Sequence, residues 1–272
     1  MATELMPQTT EHCTVERDGG VVTVTLNRPE SKNALSPAMM VGMADAWQLI
    51  DEDPSVRCGI LRGEGDVFCA GADLKNMFAT GGEPDQHQKR FQAEPDLAWR
   101  ALLKSKLVSK PLIAAVEGYA VAGGTEILQG TDIRVAGESA VFGVTEVARG
   151  LFPLGGSSVR LRRQIPYTIA AEILLTGRHV PAEEALRIGL IGRVVPDGQA
   201  FATAREIAQL ICANAPLAVQ AVKRSLIETE GLPEPRAFEV EFPIGMPIFG
   251  TQDAREGTKA FAEKRAPNYQ GN

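Results

Sequence analysis

The chain of 272 residues suffices for one large domain with an appendage or for two smaller ones, and 44% hydrophobic with 23% charged residues is ordinary for a soluble globular protein. A formal charge of −6 and an isoelectric point near 5.3 exclude the basic stripe of a nucleic-acid surface but leave room for a local cationic site facing a small anion. The opening "MATELMPQTTEHC" lacks a basic stretch followed by an apolar one, and no apolar run reaches the ~18 residues of a membrane span, so a cytoplasmic location without membrane contact is expected.

In chain order, "GGVVTVTLNRP" (19–29) alternates and stops at a proline, which predicts a strand. Ser36 then fits an N-cap and Pro37 a first helical position, and Met39, Met43, Ala46, Trp47 and Ile50 recur at helical spacing. "CGILRG" (58–63) predicts a short buried strand, and 97–106 a helical stretch. The polar segment 76–96, with its glycines and prolines, reads as a loop walling a site. "PLIAAVEG" (111–118) is another buried strand, "TEILQG" opens a helix after a glycine pair, and 132–137 and 140–143 are short strands.

This strand–helix alternation favours an α/β architecture. Beyond about residue 145 "IPYTIAAEILLTG", "PAEEALRIG" and the later segments read as successive helices interrupted by the short apolar "LIGRVVP", so an α/β core is expected over 1–195 and a helical part packed on it over 196–272. Trp47, Trp99, Met39 and Met43 read as packing residues. Cys13, Cys58, Cys69 and Cys212 lack C-x-x-C spacing and predict reduced thiols. His12, His87 and His179 stand far apart, so no metal site is expected, and no G-x-S-x-G turn supports a serine nucleophile.

Three places carry chemistry. In "FCAGADL" (68–74) a glycine lets the backbone approach a ligand and aims the Ala72 amide at an acceptor, or it simply makes a tight turn. In "AVAGGTE" (120–126) Gly123 and Gly124 lead into a helix whose first amides have no intrahelical partner; the bland reading is close helix packing. Two such amides from separate loops form an oxyanion hole for a carbonyl becoming an enolate. The third place is the carboxylate pair Glu126 and Glu146. Glu126 equally suits the dipole of a first helical turn, and Glu146 a surface pairing with Arg149.

Together "FCAGADL", "GYAVAGGTE", "FGVTEVARGLFPLGG" and "LLTGRHVPAEEALRIGLIGRVV" resemble the crotonase superfamily of enoyl-CoA hydratases and isomerases over almost the whole chain. The resemblance implies a spiral core of repeated ββα units and a C-terminal helical region that trimerises, giving a homotrimer or a dimer of trimers. It implies an acyl-CoA thioester substrate, with coenzyme A brought by the substrate and no separate cofactor. Matched by motif, the oxyanion donors are Ala72 and Gly123, Glu126 is the base that activates water, and Glu146 is the acid that protonates the α-carbon. Ala72, Asp73, Leu74, Lys75 and Gly123 match the CoA-lining positions, with Arg28 beside them, and Phe261 and Lys264 match residues that reach a neighbouring subunit's CoA.

The expected activity is hydration of a 2-enoyl-CoA. The alternatives are a Δ3,Δ2-enoyl-CoA isomerase using Glu146 alone and a silent acyl-CoA-binding scaffold. Ala122 in place of a first glycine, Thr145 where many hydratases have proline, and Leu154 where glycine is frequent point to a bulky acyl group, such as a branched or steroid side-chain thioester.

Overall fold

The computed structural model describes residues 4–74 and 83–272. The chain begins with β1 (Glu4–Leu5), β2 (Cys13–Asp18), β3 (Val21–Leu26), α1 (Pro37–Glu52) and β4 (Cys58–Gly63). It continues through α2 (Gln86–Ala93), α3 (Leu97–Ala101), β5 (Leu112–Val116), β6 (Tyr119–Val121), α4 (Gly123–Leu128), β7 (Ile133–Gly137) and β8 (Val141–Gly143). α5 (Ser157–Gln164), α6 (Tyr167–Thr176), β9 (Val180–Pro181), α7 (Ala182–Arg187) and β10 (Arg193–Val195) follow, and α8 (Ala200–Cys212), α9 (Pro216–Glu228), α10 (Glu234–Gly245) and α11 (Gln252–Ala262) complete it.

The seven-stranded sheet runs β1-β2-β3-β4-β5-β7-β10, antiparallel from β1 to β3 and parallel from β3 onward. Every residue of β5 is buried, which explains its unbroken apolar sequence: a parallel strand is covered on both faces. On one face lies α1, its entry fixed by the Ser36 hydroxyl accepting from the Met39 amide and by Pro37 at the first turn. Met39, Met43, Ala46, Trp47 and Ile50 are its buried stripe, as the periodicity predicts.

The other face carries Cys58, Ile60, Ile113, Ala115 and Val135, against which α8 packs through Ala200, Ala204 and Ala208. Alanines four residues apart form a flat stripe that lets the helix sit close to the strands. α8 follows residue 195 in sequence yet covers the sheet. Lys223 pins α9 beneath it, donating from Nζ to the Lys110 carbonyl and to Asp132 Oδ2, both at 2.7 Å.

A three-stranded sheet, β6-β8-β9, pairs β6 with β8 in parallel and β8 with β9 antiparallel. It is extended by a parallel bridge between Cys69 and Ala120. This small sheet is the platform of the site, because both glycine turns and the Glu146 segment leave it.

The alternation predicted from sequence is present, with three differences. Residues 86–93 form a helix rather than loop, started by a reciprocal cap between Asp85 and Gln88; residues 76–82 lie outside the described residues. The helical stretch predicted over 97–106 ends at Ala101, before Leu103 takes a positive φ of 55°. α4 begins at Gly123 itself, so both glycines belong to its first turn. Trp99 packs against the core as expected and also lines a cavity. Among the described residues no helix is long and apolar enough to cross a membrane.

Candidate active site

Two turns meet first. Gly71, at φ +87°, reverses the chain after Cys69 and permits the bridge between Leu35 and Ala72. That bridge uses the Gly71 carbonyl and the Asp73 amide, so the Ala72 N–H lies outside it. Asn33, fully buried and at a positive φ that asparagine tolerates, holds the approach by donating from Nδ2 to the Glu64 and Val67 carbonyls at 2.9 and 2.6 Å.

The second turn is Ala122–Gly124. A Cβ added at Gly71 would stand 3.2 Å from the Gly123 nitrogen, and one added at Gly123 would stand 3.9 Å from the Ala72 nitrogen. The two amides chosen from sequence therefore come from adjacent backbones, and among the described residues neither donates to a main-chain carbonyl in a turn or loop. Only glycines allow this approach. Ala122 carries the strain of the turn at φ 50°, ψ −125°.

Glu126 follows one helical step later and is only 4% exposed. Its oxygens do not cap its own helix: Oε2 accepts from the Gly155 amide at 2.9 Å and Oε1 from the Ser157 amide at 3.1 Å. The first-turn dipole explanation is thus insufficient, since the partners lie about thirty residues away. Gly155 is required here because a Cβ would overlap the Glu126 carboxylate. Burial pushes the Glu126 pKa up while the amide hydrogen bonds oppose that shift.

Thr125 ties this helix to the other carboxylate. Its hydroxyl donates to the Ala120 carbonyl and accepts from the Gly143 amide at 3.0 Å, fixing α4 against β6 and β8. Three residues beyond Gly143, Glu146 opens the 3₁₀ turn Glu146–Arg149. The pairing with Arg149 considered from sequence does not form, because the Arg149 guanidinium donates to the Thr145 carbonyl. Glu146 Oε2 is buried with no hydrogen-bond partner. Burial first, and then the charge of Glu126, push its pKa up to about 7.

Both carboxylates line one cavity of about 930 Å³. Ala72, Asp73, Leu74, Gly123 and Arg28 line it as well, with Arg28 Nη1 bonded to Asp73 Oδ2 at 2.6 Å. Lys75 lies outside the described residues. Phe261 and Lys264 do not reach this cavity of their own chain; Phe261 is 88% exposed. Phe91, Glu94 and Pro95 of the segment expected to wall a site do line the cavity, while sequence reasoning missed Lys32, an exposed cation on the lining, and the apolar residues Met40, Ala98, Trp99 and Leu102. It also missed Gly155 and Ser157, whose one visible signal is the Gly-Gly-Ser run before α5. No grouping of side chains suited to a metal ion occurs among the described residues.

The arrangement offers two amides for a carbonyl oxygen, one carboxylate held by two main-chain amides and another whose buried Oε2 has no donor. The sequence profile of the enoyl-CoA hydratase/isomerase family matches residues 16–272. The enoyl-CoA hydratase EchA19 of Mycobacterium tuberculosis is 58% identical over 256 residues, covering 94% of this chain and 95% of the relative. The (E)-benzylidenesuccinyl-CoA hydratase of Thauera aromatica is 37% identical over 270 residues, covering 95% and 98%. Among solved structures, an enoyl-CoA hydratase from Mycobacterium tuberculosis H37Rv superposes with a TM-score of 0.86 at 39% identity, covering 97% of this chain and all of the other. That from Bacillus anthracis gives 0.88 at 33% identity, covering 96% and all. Motifs, fold and relatives agree that this chain belongs to the enoyl-CoA hydratase/isomerase family.

Proposed function

We infer that the protein is an enoyl-CoA hydratase that adds water reversibly across the conjugated double bond of a 2-enoyl-CoA to give a 3-hydroxyacyl-CoA. The observation that carries this reading is the pair of glutamates in one cavity, one stabilised as an anion by main-chain amides and the other kept near its protonated form. Addition of water needs a base at the attacking oxygen and an acid at the α-carbon.

In this reading the thioester oxygen accepts from the Ala72 and Gly123 amides. Glu126 takes a proton from water as its oxygen bonds to the β-carbon, the developing enolate charge rests on the two amides, and Glu146 delivers a proton to the α-carbon. The dyad ends with the same number of protons, shared the other way. No electrons leave or enter the substrate, so no redox cofactor is required, and CoA arrives as the thioester carrier of the acyl group.

Arg28, Lys32, Asp73, Leu74 and Lys75 are assigned to the CoA end, and the apolar wall that includes Trp99 to the acyl chain. Residues 196–272 are assigned to assembly as well as to covering the sheet: Leu226, Phe238, Phe242, Phe249 and Phe261 are exposed on the helices and turn of this region. A homotrimer or dimer of trimers would cover them and bring Phe261 and Lys264 to a neighbour's CoA. The reading places the enzyme in the cytoplasm, in keeping with four free cysteines.

The test follows loss of the conjugated thioester absorbance with short and long 2-enoyl-CoA substrates. Wild type hydrates them, and Glu126→Gln and Glu146→Gln each lower kcat by roughly 10²- to 10⁴-fold. Conversion of a 3-enoyl-CoA with no hydration at any chain length would overturn the reading in favour of an isomerase. CoA binding without turnover would favour a scaffold.

A further inference from the structure

The Gly155–Ser157 turn that holds Glu126 has weak local support. Gly156 sits at φ +126° and α5 begins without a side-chain cap. Its anchorage comes from elsewhere. Arg160, one turn into α5, reaches back to the segment that follows α3 and donates from Nη2 to the Leu103 carbonyl at 2.7 Å and to the Lys104 carbonyl at 3.3 Å. Lys104 answers in the opposite direction, donating from Nζ to the Leu154 carbonyl at 2.6 Å. The segments 103–104 and 154–160 are therefore cross-linked twice, and the amides of Gly155 and Ser157 lie between the two links.

The Leu103 backbone is shaped for this contact. Leu103 is fully buried and holds a left-handed φ of 55°, which a leucine adopts only where its surroundings impose it. Gly130 opposite it leaves no room for a side chain, since a Cβ there would lie 2.6 Å from Leu103 Cβ and 3.3 Å from Arg160 Nη1. Nη1 is buried without a hydrogen-bond partner. Gln129 gives α5 a second support, donating to the Ser157 hydroxyl at 2.7 Å, but it leaves the 154–156 side free.

We propose that Arg160, with Lys104 as its counterpart, is a positioning residue for hydration that clamps the Gly155–Ser157 turn so that its amides hold the Glu126 carboxylate in place. The proposal rests on the assignment of Glu126 as base. The guanidinium also contributes charge: Glu126 and Glu230 are the carboxylates that act on it, and Arg134 is the nearby like charge. Glu126 in turn faces Glu146 from the 3₁₀ turn and Arg160 from α5, with Arg149 acting on Glu146. A cation on the α5 side favours the ionised form of Glu126, so its removal makes Glu126 ionise at higher pH.

The experiment compares Arg160→Met, Arg160→Lys and Glu126→Gln with wild type, checking folding by circular dichroism and binding of free CoA by calorimetry. Arg160→Met should lower kcat for a short 2-enoyl-CoA by about 10- to 100-fold with little change in KM, because misplacing a catalytic group by an ångström has that scale of cost. Its kcat–pH profile should have the acid limb displaced to higher pH, and Arg160→Lys should return the limb toward wild type. A folded Arg160→Met with kcat within about twofold of wild type, or a slow one whose pH profile superimposes on wild type, overturns the proposal. An active Glu126→Gln would instead sink the assignment of the base. Should Arg160→Met not fold, Lys104→Met reads the same clamp: a severalfold fall in kcat supports it and an unchanged kcat overturns it.

Discussion

The wall that carries Glu126 gives its carboxylate the amides of Gly155 and Ser157, whereas the wall that carries Glu146 leaves one buried oxygen with no donor. Both side chains lose hydration, and for each burial is the leading influence on its pKa. What separates them is where the neighbouring main chain points its N–H groups. Two glutamates in one cavity thus differ in proton affinity, and the anion of one raises the pKa of the other.

The contrast can be broken from the Glu126 side. Gly155→Ala places a methyl where the Glu126 carboxylate lies, its Cβ 2.7 Å from Cδ, and the three atoms nearest that methyl all belong to Glu126. On the proposed assignment of Glu126 as base, its displacement should cost about 10²-fold in kcat. KM and thermal stability should change far less; steady-state kinetics and a melting curve on the same preparation check this. A Gly155→Ala enzyme at wild-type rate would mean that the two amides do not set the position of Glu126.

A smaller effect is expected at the turn joining the two walls. The Ala122 amide donates to the Gly143 carbonyl at 2.8 Å, linking the start of α4 to the strand before Glu146, and the residue sits at φ 50°, ψ −125°. A glycine adopts that conformation without strain. Relief of roughly 1–2 kcal/mol exceeds the roughly 0.4–1 kcal/mol lost because a glycine loosens the unfolded chain. Ala122→Gly should therefore raise the melting temperature slightly, and a fall would show that the alanine methyl is needed where it packs.

Much of this was readable from residues alone. β4 occupies Cys58–Gly63 as predicted, and α1 starts where Ser36 and Pro37 place it, because burial on one face writes a local pattern. β2 shows no clean alternation because Glu16 and Arg17 stand in its partly exposed half, and β6 and β9 are too short to show any. α5 was missed since Leu161 is nearly its only core residue among three arginines. At the site the same division holds. Ala72, Gly123, Glu126 and Glu146 stood out by type and spacing, but Gly155, Ser157, Arg160 and Lys104 act through contacts between segments far apart in sequence, and no local pattern marks such a contact.

The central claim is that Glu126 ionises first and that the last proton of the dyad, lost only near pH 7, resides on Glu146. Carboxyl carbon NMR of glutamate-labelled protein, titrated from acid to alkaline pH, tests it directly. The account predicts one glutamate titrating near pH 7, absent in Glu146→Gln and shifted to lower pH in Glu126→Gln as the neighbouring charge is lost. Hydration should decline in parallel as pH rises through that value, because the proton donor is being lost. A near-neutral titration that survives in Glu146→Gln, or the absence of any glutamate titrating above about pH 6 in wild type, would contradict it.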